Sequence, residues 1–166
     1  MSRVTFDIHT RIPPEQVLAM LTDFSTRRPE LWPTLAREVY EVYEVGAANA
    51  DVKEGSAWPT RMWERVHYDW SVPGRVRWTV QESNYFAPGS YVEVAVQKTA
   101  TVGSQVRVEW NRTGTCPKAK VLVGLVVLTG GAIIRRKVFQ RAFDRAVQSL
   151  SGSGSHGGEE SQNMSV

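Results

Sequence analysis

Only one cysteine, Cys116, stands in the 166 residues. No internal disulfide can form, so the fold must be held by packing and hydrogen bonding. Histidine is nearly as scarce. His9, His67 and His156 are scattered, and with one thiol they give no metal-ligand spacing, so no metal is expected. Ser-His-Asp and Cys-His nucleophile arrangements have no local signature. No glycine-rich loop follows a strand. Gly130-Gly131 lies inside an apolar run and lacks the lysine of a phosphate loop, so no nucleotide cofactor is expected. Charge of one sign is also in short supply. The net charge of +3 is too small to argue for nucleic acid. Met1-Ser2-Arg3 leads into alternating residues rather than an apolar stretch, so no signal peptide is read. With a lone thiol, that fits a reducing, cytoplasmic setting. The longest nearly uncharged run, Val121 to Ile134, is about 14 residues and too short to span a bilayer.

What the chain does have is tryptophan, six in all. Aromatic side chains bury large areas, and they either fill a core or line a ligand cavity. Residues 3 to 10 alternate, with Val4, Phe6 and Ile8 apolar, which is the period of a half-buried strand. Pro13-Pro14-Glu15-Gln16 reads as a helix start, followed by Val17, Leu18, Met20, Leu21 and Phe24 at helical spacing. A second helical piece is expected over Pro29 to Ala36, with Leu31, Trp32 and Leu35 inward.

From Val39 to Arg112 the chain reads as successive strands: 39–45, 50–55, 61–72, 75–84, 91–99 and 105–112. Pro73-Gly74 and Ala87-Pro88-Gly89-Ser90 are turns between them, which implies an antiparallel meander. The period then changes. Ile134, Val138, Ala142, Ala146 and Leu150 recur every fourth residue, with Arg135, Arg136, Arg141, Asp144 and Arg145 opposite, which predicts an amphipathic helix over 132–150. It extends back toward Lys118, with a kink or break expected at Gly130-Gly131. Residues 151–166 are rich in Gly and Ser and read as a disordered tail.

The order strand, two helices, six strands, long helix resembles the START-like superfamily, often labelled SRPBCC, and within it the polyketide cyclase/dehydrase and lipid-transport branch. The resemblance rests on Pro13 to Val17 after the first strand and on Trp32-Pro33. It also rests on the strands Trp63 to Trp70 and Arg75 to Asn84 and on the closing amphipathic helix. It covers residues 3 to 150. It implies an α+β helix-grip fold of the Bet v 1/START-like kind. In that fold a curved antiparallel seven-stranded sheet wraps a long C-terminal helix, with two short helices after strand 1, as one domain over 1–150. It further implies a hydrophobic small-molecule ligand, lipid or polyketide-like, held between sheet and helix. The resembling family has no universal active-site motif, so no catalytic residue is carried over by position. Three functions stay open: a binder or carrier, a polyketide cyclase or aromatase, and an interaction module whose cavity side chains fill.

Strand parity sorts the candidate cavity residues. In 61–72 the even positions, Met62, Glu64, Val66, Tyr68, Trp70 and Val72, form the inner set. Val76, Trp78, Val80 and Glu82 continue it in 75–84. Val94, Trp110, Phe139 and Phe143 are further candidates for ligand contact. Glu64, Tyr68 and Glu82 interrupt this apolar face, and a buried carboxyl is costly unless paired or protonated. Glu64 and Tyr68 are therefore the candidate catalytic or ligand-orienting groups, Glu64 as a general base. The plain structural alternative is that Glu64 pairs with an arginine such as Arg112. The run Val121 to Ile134 is either the buried front of the closing helix or an apolar lip that touches a membrane transiently, since Lys118, Lys120 and Arg135-Arg136-Lys137 bracket it.

Overall fold

The computed structural model describes residues 2–57, 61–100 and 103–152. Strand β1 (Ser2–Thr10) turns Val4, Phe6 and Ile8 into the core. Helix α1 (Pro14–Leu21) starts on Pro13-Pro14, where the missing amide donors cost nothing, and buries Val17 and Leu21. The second helical piece is shorter than its pattern predicts. Helix α2 spans Arg28–Leu31, because Trp32 precedes Pro33 and takes an extended conformation. A 3-10 turn at Arg37–Val39 leads into the meander.

The strands that follow are β2 (Glu41–Val45), β3 (Asn49–Ser56), β4 (Met62–Asp69), β5 (Arg75–Ser83), β6 (Tyr91–Lys98) and β7 (Ser104–Arg112). They form a seven-stranded sheet in the order β1-β7-β6-β5-β4-β3-β2, with each neighbouring pair antiparallel. The helical pair carries the chain from one sheet edge to the other, which is why β1 and β2 never meet. β4 ends before the predicted Val72. The Asp69 carboxylate accepts a hydrogen bond from the Ser71 amide at 2.8 Å, which turns the chain and leaves Val72 exposed.

After β7 comes α3 (Pro117–Leu128), then the expected break. Gly130 and Gly131 both have positive φ, +55° and +77°. Their amides donate to the carbonyls of Val127 and Val126, closing the end of α3. At Gly131 a Cβ would fall 2.3 Å from the Phe6 ring, so only glycine lets the break pack on β1. The chain resumes as α4 (Ala132–Ile134), a π-helical segment (Arg135–Gln140) and α5 (Arg141–Gly152), bent 93° from α3. Among the described residues no single helix is long and apolar enough to cross a membrane. The predicted tail, from Ser153 onward, lies outside the described residues.

Candidate functional site

β3 and β4 bring two carboxyls together. Ala50, Val52 and Glu54 share the inward face of β3, and Glu64, Val66 and Tyr68 share that of β4. Glu54 and Glu64 are cross-strand partners, as are Ala50 and Tyr68. Each carboxyl is buried and each has its own arginine. Arg28 of α2 donates from Nε to Glu54 at 3.2 Å and from Nη2 to the Tyr68 hydroxyl at 2.8 Å. Tyr68 in turn donates to the other Glu54 oxygen at 2.5 Å, closing a triangle. The remaining guanidinium donor, Nη1, is spent on the carbonyls of Leu21 and Asp23. The rings of Phe24 and Tyr68 lie 4.7 and 5.1 Å from the Arg28 guanidinium carbon. Burial opposes the Arg28 charge, but the oxygens of Tyr68 and Glu54 outweigh it and hold the group above its usual pKa. Burial likewise pushes the Tyr68 phenol well above its usual value.

Glu64 is paired with Arg112 of β7, as the structural alternative anticipated. Arg112 grips both carboxyl oxygens, one of them at 3.0 Å, and lies over the Phe86 ring at 4.8 Å. Burial still outweighs the arginine, and the Glu64 carboxyl sits above its ordinary pKa. Arg112 Nε, Trp32 Nε1 and the Tyr40 hydroxyl are buried without a hydrogen-bond partner among the described residues. The interior therefore holds polar atoms with unused capacity beside an apolar wall.

Of the predicted contact residues, Val66, Val80, Val94, Trp110, Phe139 and Phe143 are buried in one continuous core, and Trp70 and Trp78 are half-buried against it. Aromatic pairs fill the interior toward the Tyr68–Trp70 end of β4. Phe139 packs edge-on against Phe6 and Trp32, while Trp70 stacks on Phe24 and Trp78 on Tyr68. Glu82 is exposed, contrary to the parity reading. A bulge at Gln81 explains it: Val66 pairs with Val80 and Arg65 with Glu82, so Glu82 joins the outward face.

The open space lies at the other end. A pocket of about 520 Å³ opens between the Ser56 end of β3, the Met62 end of β4, Tyr85 and the α3 residues Val121, Leu122 and Leu125. Met62 is the predicted residue that lines it. Glu64 is the next inward-facing residue along β4 after Met62; neither Glu64 nor Arg112 lines the pocket. A second pocket of about 520 Å³ lies against the outward residues Lys53 and Trp63 and is more polar. Arg28 and Glu54 were not singled out from the sequence. Glu54 was findable, since it shares parity with Ala50 and Val52. Arg28 had no signal, because its burial depends on where a four-residue helix lands.

No family model matches the chain, and no curated protein matches it. Solved structures do. A START superfamily protein from Mycobacterium smegmatis superposes with a TM-score of 0.68 at 9% identity, over 90% of this chain and 99% of that one. A Thermus thermophilus protein gives 0.69 at 16% identity, over 89% and 98%. A Streptomyces aromatase/cyclase, Zhui, gives 0.72 at 12% identity, over 92% and 97%. With the sheet order, the helical pair and the closing helix, these show the fold: the chain has the START-like helix-grip fold.

Proposed function

We propose that this protein binds a hydrophobic small molecule between the sheet and the helices that follow β7. The ligand enters through the opening formed by Met62, Tyr85, Leu122 and Leu125. The observation that carries this reading is the apolar pocket itself, about 520 Å³, whose lining residue Met62 is one inward position along β4 from the buried Glu64 of the Glu64–Arg112 pair. An apolar wall with a small number of polar groups at its end suits a ligand that carries an oxygen function on a hydrocarbon frame. The fold supports the reading, since helix-grip neighbours include START proteins and an aromatase/cyclase. The test is native mass spectrometry of gently purified protein, followed by titration with an apolar fluorescent probe. A retained lipid or polycyclic aromatic, or saturable probe binding, is expected. An empty protein that ignores the probe would overturn the proposal and favour a filled interior that serves protein contacts.

A second reading adds proton transfer at the buried polar groups of β4. It draws on the raised Glu64 carboxyl, which is suited to act as a base on an acidic carbon, with Tyr68 orienting an oxygen. The ion pair to Arg112 and the Tyr68–Glu54 hydrogen bond count against it, because both groups are already engaged. Glu64→Gln separates the readings. It abolishes turnover of a polyketide-like chain if Glu64 is a base, and leaves probe affinity intact if the site only binds.

A further inference from the structure

Helix α3 is apolar on two opposite faces, and among the described residues nothing covers one of them. Ala119, Val123 and Val126 are buried against the core. Val121, Leu125 and Leu128 lie about half a turn away from them and are 64%, 47% and 83% exposed. A surface helix ordinarily puts polar residues on that side, and contiguous apolar patches on monomers mark a partner surface.

The surrounding charge says which partner. Between Asn111 and Phe143 there is no Asp or Glu. Lys118 and Lys120 stand exposed at the start of α3, and Arg135, Arg136 and Lys137 stand exposed beyond the bend that follows its end. An apolar ridge framed at both ends by cations matches a bilayer with anionic headgroups, where the leucines enter the acyl boundary and the cations meet phosphate. A second copy of the chain fits worse, since face-to-face ridges would bring these cations against their equals. We propose that α3 docks on anionic membrane surfaces through Val121, Leu125 and Leu128. The same helix lines the pocket through Val121, Leu122 and Leu125. Docking would therefore set the opening against the lipid. The proposal does not require the ligand reading, because a chain with no ligand docks equally.

Flotation of the full chain with phosphatidylcholine vesicles, with and without phosphatidylglycerol, tests it. Binding is expected with phosphatidylglycerol only, weakened by salt, and roughly tenfold or more weaker in Leu125→Glu/Leu128→Glu. Both leucines face solvent, so circular dichroism of that variant should match the parent. A second readout places an environment-sensitive dye on Leu128→Cys in a Cys116→Ser background. Its emission should shift to the blue on anionic vesicles, as insertion requires. Flotation that survives the glutamate pair, or no flotation on either vesicle, overturns the proposal. So does a dimer in sedimentation velocity that the glutamate pair dissolves while vesicles go unbound.

Discussion

Glu54 on β3 and Glu64 on β4 are direct cross-strand partners, both inward and both buried. Two carboxyls so placed repel, and each would be expelled or protonated without help. The fold supplies one arginine to each, Arg28 from the helical pair and Arg112 from β7. The sheet and the helices are thus tied at one point by a buried charge cluster as well as by packing.

Removing Arg112 should expose how this balance works. Arg112→Met leaves Glu64 buried without its cation, which costs about 3–5 kcal/mol at neutral pH. The sign of the pH effect follows from the Glu64 carboxyl, already above its usual value by burial and raised further once Arg112 is gone. A raised carboxyl contributes fully below its unfolded pKa and loses that contribution as pH rises through the folded value. The variant should therefore come closest to the parent below about pH 4 and fall behind as pH rises. Adding Glu64→Gln removes the stranded charge and should recover most of the loss. Urea unfolding at acid and neutral pH measures all of this. An equal deficit at both pH values would mean that the Glu64 charge is not what makes the loss.

Most of the architecture was legible in the sequence, because it depends on period. Val4, Phe6 and Ile8 alternate, as do Glu64, Val66 and Tyr68, and the structure buries each set. The break after α3 was legible in Gly130-Gly131. What period could not reveal was irregularity and long-range meeting. The bulge at Gln81 reverses Glu82, and a bulge leaves no signature in side-chain type. Arg28 becomes the best-satisfied cation in the core only because α2 comes to rest over β3 and β4, a tertiary fact. The Arg112 partnership was readable as one possibility, since both residues lie on inward parity near strand ends.

Tyr68→Phe should be felt through Arg28 and Glu54. The phenol bridges them, accepting from Arg28 Nη2 and donating to Glu54 Oε1. Its loss leaves one donor and one acceptor short inside the core, at about 1–3 kcal/mol. Denaturant unfolding gives the number. A neutral result would mean that water replaces the hydroxyl, and the site would then be wetter than its burial implies.

The two glycines of the break should behave differently. Gly130→Ala pays only the left-handed backbone conformation, about 1–2 kcal/mol, because open space surrounds its Cβ position. Gly131→Ala adds a collision with the Phe6 ring, for a total of about 2–5 kcal/mol. Phe6→Leu in the Gly131→Ala background removes the ring and should return part of the excess. Urea midpoints of the variants decide it, and equal costs at both glycines would contradict the close approach to β1.

The pocket can be filled without disturbing what lies beneath it. Leu122 is half-buried on α3 and lines the opening with Met62 and Tyr85. In Leu122→Trp the indole would occupy volume that the parent leaves to a ligand. Because the site opens to solvent, the added bulk can tilt outward, and stability should change by less than about 1.5 kcal/mol. Affinity for an apolar probe should fall roughly tenfold or more, since the probe and the indole compete for one space. Trp70→Phe provides the control. Trp70 stacks on Phe24 at the aromatic-filled end, so its change should leave probe affinity where it was. If instead Trp70→Phe weakened the probe and Leu122→Trp did not, the ligand would reside among the stacked rings, and the opening under α3 would be an entrance that the bound state leaves behind.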